Sequence, residues 1–323
     1  MRKWICLALS IVILLMMVGC GGKSEAEPTV PEEVHMLQGK KIIFIGNSHT
    51  YNGKVVLQID KSVLEQSARS NDMALFYQLC KAKGAEVSVT NWCFSGHGLS
   101  SLFGNPCAIA ACNEVKHEDY LKDRVFDYVV ITPGVGEKSV ETLEKDIAYI
   151  TNFFREANPE VKFVCLGNAS VYGKNRTDTS YPGITSYYKT MEEQGILIAD
   201  WGMVVSDLID GYSSIPGAKE KYSKNTFIVS DGFHPNVLSG YIASLMVYCV
   251  ITGESAVDQP RRLFIDDSIM SDMMNNQLKS SYDYGELDTN FHKILTSESE
   301  LEGVQVMLDQ YLEEKPYRIN ELQ

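Results

Sequence analysis

Positive charge is scarce in this chain, and nowhere does it gather. Lys and Arg number 29 against 42 Asp and Glu in 323 residues, a formal net charge of −13. Without a basic patch, neither a nucleic acid nor an anionic membrane surface is an expected partner. Low-complexity tracts and internal repeats are also missing, which excludes solenoids and fibrous or disordered proteins. There is no H-E-x-x-H, no paired C-x-x-C and no G-x-S-x-G, so zincins, zinc ribbons and standard α/β-hydrolase elbows are disfavoured. No metal and no organic cofactor are expected. In "GVGEKS" (134–139) Glu137 stands where a phosphate loop needs glycine before its lysine. Its charge would repel a phosphate at a helix start, so nucleotide binding is rejected. Disulfides do not form a framework either: beyond Cys20, only Cys80, Cys93, Cys107, Cys112, Cys165 and Cys249 remain. Cys107 and Cys112 are close enough to pair, whereas Cys165 in "VKFVCLG" reads as a buried free thiol.

What is present is a globular composition, 45% apolar and 22% charged. The start of the chain stands apart. Met1-Arg2-Lys3 is positive, an apolar stretch runs from Trp4 to Val18, and Gly19-Cys20-Gly21-Gly22 follows. That stretch is shorter than the ~20 residues of a spanning helix. The arrangement resembles a bacterial lipoprotein signal over residues 1–19. The resemblance implies cleavage before Cys20, lipid on Cys20, and a membrane-anchored, extracytoplasmic place in the bacterial cell envelope. Residues 20–38 are small, acidic and proline-containing, and read as a tether that includes His35. Residues 39–323 read as one domain with a helical extension from about 256, carrying two more helices.

From Lys40 onward, short apolar runs alternate with longer amphipathic segments. The runs at 41–46, 85–92, 127–132, 161–167 and 195–200 are of strand length, and their apolarity is continuous. Such strands are covered on both faces, as in a parallel sheet. Helices are expected over 55–82, 137–157, 180–194 and 202–211, and from His234-Pro235 to a stop at Gly253. The alternation means a three-layer αβα fold with a doubly wound parallel sheet. Ligands of such folds bind beyond the carboxyl ends of the strands.

Ser48 follows the first strand directly, in "FIGNSHTYNG". A serine becomes a nucleophile only with a base to take its proton and a third group to orient that base. Of the histidines, His49 is adjacent but its side chain is expected to diverge from that of Ser48. His234 lies in "VSDGFHPNVLSGY", with Asp231 three residues earlier. A carboxylate at that spacing can reach Nδ1 and leave Nε2 free, although an ordinary helix-capping turn gives the same spacing. The aromatic segment "SYPGITSYYK" (180–189) reads as a loop and helix start, or as a sugar-stacking surface.

Taken in order, Gly46-Asn47-Ser48, Gly96 and Asp231-x-x-His234 resemble the SGNH (GDSL-type) hydrolase superfamily, over about residues 40–255. The resemblance implies a flavodoxin-like SGNH fold and a serine esterase with Ser48 as nucleophile, His234 as base and Asp231 as its orienter. It also implies oxyanion donors in the backbone N–H groups of Ser48 and Gly96. Acetyl or other short acyl esters on a carbohydrate or a similar small molecule would be the substrates. The third block departs from the family: where an asparagine amide should donate, Gly136 stands. Either the backbone at Gly134 and Gly136 or the side chain of Asn168 replaces that donor, or the site is weak or dead. In that last case the alternative is a surface lipoprotein that binds a glycan or another ligand. An acyltransferase would use the same residues.

Overall fold

The computed structural model describes residues 34–53, 55–56, 74–94, 96–103, 117–133, 140–167, 184–210, 222–228, 234–263, 292–293 and 298–314. Apart from Val34 they belong to one unit, His35–Gln323. Strands β1 (Lys41–Gly46), β2 (Ser88–Cys93), β3 (Tyr128–Ile131), β4 (Lys162–Leu166) and β5 (Ile196–Ala199) form one sheet in the order β2-β1-β3-β4-β5. All four pairings are parallel. Each strand overlaps a run expected from the sequence, and the order is that of flavodoxin-type doubly wound sheets.

The apolarity of the strands is continuous because both faces are covered. Ile42, Phe44, Val130 and Val164 enter one core, while Ile43, Ile45, Val129, Ile131, Phe163 and Cys165 enter the other. After β1 the chain makes a single-turn helix, α1 (Ser48–Tyr51). The first core is closed by α2 (Leu75–Ala82), α5 (Trp201–Asp210), α6 (Val237–Thr252) and α7 (Glu298–Glu314). The second is closed by α3 (Val140–Ala157), α4 (Ile184–Glu193) and the short helix Leu99–Leu102. In α3, Leu143, Ile147, Ile150 and Phe154 form the buried stripe, the spacing of a one-sided amphipathic helix. By contrast α6 is apolar on every side and almost wholly buried, as a helix inside the protein must be. It starts at an Asn236 cap and stops at Gly253, whose φ of 74° suits glycine.

Two features differ from the sequence expectation. His35 is not in a free tether: its Nε2 lies 2.8 Å from the Tyr248 hydroxyl, and Leu37 is completely buried. The acidic composition around these residues hides one well-packed leucine and one bonded imidazole. Of the two helices expected beyond 256, α7 is one, and residues 264–291, 294–297 and 315–323 lie outside the described residues. There is also an antiparallel pair, β6 (Arg262–Leu263) with β7 (His292–Lys293), too short to leave a period in the sequence. Of the helix expected over 55–82, the C-terminal part is α2, and 57–73 lie outside the described residues. Cys80, Cys93, Cys165 and Cys249 are buried free thiols, as expected for Cys165. Burial pushes each of them up, Cys93 to about 12. Cys107 and Cys112 lie outside the described residues.

Asp200, at the exit of β5, is a buried carboxyl packed on Gly167, where a Cβ would come within 2.3 Å of Asp200 Oδ1. Burial pushes it from 3.8 up to about 6, against the opposing pull of the Tyr188 hydroxyl and the N–H groups of Met203 and Gly202. The folded state therefore holds this proton more tightly than the unfolded chain does. The favourable contribution is complete below pH 3.8 and is lost as pH rises through about 6. A shift of this size corresponds to about 3 kcal/mol. Asp200→Asn keeps an acceptor for Met203 and should flatten this loss. Urea unfolding of both proteins at several pH values between 4 and 8 checks it. Equal pH slopes for the two would disprove it.

Candidate active site

The exit of β1 is stitched to both neighbouring strands. Phe94 N donates to Gly46 O (3.0 Å) on the β2 side, and Thr132 N donates to Ile45 O (2.7 Å) on the β3 side. A Cβ on Gly46 would sit 2.7 Å from Thr132 Cβ, so only glycine lets the strands leave this close together. Thr50 Oγ1 donates to Thr132 Oγ1 at 2.8 Å and ties α1 to the end of β3. The residue after this junction therefore stands where the strand order reverses, the crevice of a doubly wound sheet.

Asn47 makes the turn. Its φ of −142° and ψ of −160° are extended, and its side chain accepts from His49 N, an N-cap that starts α1 at once. Ser48 is thereby the first helical residue, and α1 itself makes no use of its backbone N–H. Asn47, Ser48 and His49 are all buried.

His234 reaches this turn from 186 positions away, with Nε2 2.9 Å from Ser48 Oγ. Several bonds fix the backbone that carries it. Pro235 bridges to Ile228, and Asn236 N donates to Phe227 O at 2.9 Å. Asn236 Nδ2 donates to Thr226 O and Ser239 Oγ to Phe227 O, both at 2.7 Å. One further contact joins the two halves of the site. The backbone of Gly53, just after α1, lies against that of Gly240 in α6. A Cβ on Gly240 would fall 1.4 Å from Gly53 O.

The sequence expectations divide as follows. Ser48 and His234 are brought together. Gly96 follows β2 with a φ of 74°, a conformation that favours glycine, and is exposed. Asp231, Gly134, Gly136, Asn168 and Cys20 lie outside the described residues. His49, expected to diverge from Ser48, lies against the other partner: its ring centroid is 5.2 Å from that of His234, with an interplanar angle of 36°. Successive residues of a helix do point apart, but the His234 ring lies within reach of both. The Gly53–Gly240 approach and the Thr50–Thr132 bond carried no sequence signal, since each joins residues far apart in the chain.

Chemically the pair can move one proton. With Nδ1 protonated, Nε2 accepts the Ser48 hydroxyl proton and leaves a nucleophilic oxygen buried at the sheet's carboxyl end. Among the described residues, no group of three His, Cys, Asp or Glu could hold a metal ion. A cavity of about 690 Å³ runs along β5, lined by Ile198, Met246, Val250 and Leu312 among others. Neither Ser48 nor His234 belongs to its wall.

No family model matches this chain, and no curated protein matches it. Solved structures do. An acetylxylan esterase from Geobacillus stearothermophilus is similar at 18% identity with a TM-score of 0.45, over 68% of this chain and 98% of that one. A protein from Slackia heliotrinireducens assigned as an SGNH hydrolase is similar at 16% identity and a TM-score of 0.42, over 67% and 100%. A carbohydrate esterase family 2 enzyme with its carbohydrate-binding domain, from Corynascus, is similar at 17% and 0.41, over 69% and 68%. Likenesses this distant leave the chemistry to be read from the site itself.

Proposed function

We propose that this protein is an SGNH-type serine esterase, anchored through lipid on Cys20 outside the cytoplasm. It removes acetyl or other short acyl groups from carbohydrate or similar esters. The observation that carries the proposal is the 2.9 Å contact between Ser48 Oγ and His234 Nε2, at the strand-order reversal where such folds bind ligands. Ser48 attacks the acyl carbonyl while His234 takes its proton, and Asp231 holds the imidazole. The oxyanion is met by the N–H groups of Ser48 and Gly96, with Gly136 or Asn168 as the further donor. The leaving alkoxide then takes the proton from His234. Water returns by the same route to release the acid.

The test is labelling of the purified protein with a fluorophosphonate, followed by peptide mapping, beside hydrolysis of p-nitrophenyl acetate. Label on Ser48 together with release of p-nitrophenol is the expected result. Absence of label, with the protein folded, would overturn the esterase. It would leave a glycan-binding lipoprotein in which Gly136, standing in place of the asparagine, marks lost turnover.

A further inference from the structure

We propose that His49 is a positioning residue for the base: it holds the His234 imidazole at the tilt from which Nε2 meets Ser48. The inference rests on the esterase reading above. His234 has its backbone fixed at Pro235 and Asn236, but an imidazole still turns about two side-chain torsions. Hydrogen bonds at the ring's edge, to Ser48 and in the esterase reading to Asp231, act in the ring plane and leave tilting out of that plane weakly opposed. A surface against the ring removes this freedom.

His49 provides such a surface. Its centroid is 5.2 Å from that of His234 at a 36° tilt, within the 4.5–7 Å range in which aromatic rings attract. It is 4% exposed, and both its ring nitrogens are sealed from solvent, so the ring is itself wedged in place. The two contacts on His234 also come from one rigid turn. Ser48 and His49 are successive residues of α1, pinned together by the Asn47 cap and by the Thr50–Thr132 bond. Neighbouring side chains on a helix point about 100° apart. One therefore meets the edge of the imidazole and the other supports its ring, and any movement of α1 carries both. The sealed ring also keeps water off that side while His234 carries the proton it takes from Ser48 Oγ and later gives to the leaving alkoxide.

Two substitutions separate this role from a merely structural one. His49→Ala removes the surface; His49→Phe keeps a flat ring without nitrogens. Misplacement by about 1 Å costs ~10²-fold in rate, so kcat of His49→Ala should fall roughly 10- to 100-fold with KM unchanged. His49→Phe should recover most of that loss. A second readout needs no turnover: the imidazole signals of His234 in long-range ¹H–¹⁵N spectra. They should be sharp in the wild type and in His49→Phe, and broadened in His49→Ala. Unchanged kcat or unchanged His234 signals in His49→Ala would overturn the inference. So would equal losses in Ala and Phe, which would assign the role to the ring nitrogens. A wild type that fails to label at Ser48 sinks the esterase reading alone, and the spectra still decide whether His49 orders its neighbour.

Discussion

Ser48→Ala, His234→Ala and the double variant should all lose about the same rate toward p-nitrophenyl acetate, roughly 10⁴–10⁶-fold in kcat/KM. The losses should not multiply. The expectation follows from the shared proton: Ser48 Oγ and His234 Nε2 meet at 2.9 Å, and neither has a job in acyl transfer without the other. A serine hydroxyl without its base is a weak nucleophile, and an imidazole facing alanine has no proton to take. What should survive in all three is the stabilisation offered by the oxyanion donors proposed above, which each variant keeps. Steady-state rates of the four proteins, with folding checked by circular dichroism, decide the matter. A double variant whose loss equals the product of the single losses would show two independent groups. A His234→Ala loss below about 10-fold would assign the base elsewhere.

Gly240→Ala should be nearly as damaging, and in the direction opposite to its local propensity. On an ordinary helix, replacing glycine by alanine stabilises by about 1 kcal/mol. Here the new Cβ would lie 1.4 Å from Gly53 O, with backbone on both sides of the clash, so no rotamer relieves it. The segments must separate, and overpacking of this kind costs about 1–3 kcal/mol or more. Gly53 lies just after α1, which carries Ser48, and Gly240 lies in the first turns of α6, just after His234. Separation therefore opens the Ser48–His234 contact itself, and kcat should fall ~10²-fold or more together with a lower Tm. Gly53→Ala, whose Cβ would meet Gly240 Cα at 2.9 Å, should act in the same direction and more mildly. A raised Tm with full activity for Gly240→Ala would refute the role given to this contact.

The sheet was legible in the sequence because burial on both faces leaves an unbroken apolar run, as in "KIIFIG" and "VKFVCLG". The Ser48–His234 pairing was legible through motif order, with the rule that sites gather at strand carboxyl ends. Other parts were not. Gly240 carries no signal in the sequence, and only the structure shows a backbone pressed against it. His49 diverges from Ser48 as helix neighbours do, but the spacing of two adjacent residues holds no sign of the third ring, His234, that lies against it. His35 and Leu37 sit in a stretch whose average composition is that of a linker, yet a bond to Tyr248, a buried leucine and the backbone bond from Gly39 N to Glu86 O hold it to the domain. The β6–β7 pair spans two residues a side, below any period that a pattern could reveal.

The separation of Ser48 and His234 by 186 positions also governs when reactivity first exists. A ribosome delivers the serine early and the histidine late, and α6, which follows His234, must then bury its apolar surface beside the sheet. A chain interrupted before that step carries an alcohol no more reactive than any other. In the esterase reading, acyl-transfer capacity is thus a property of the finished polypeptide alone, and a nascent or clipped copy is chemically silent toward the esters around it.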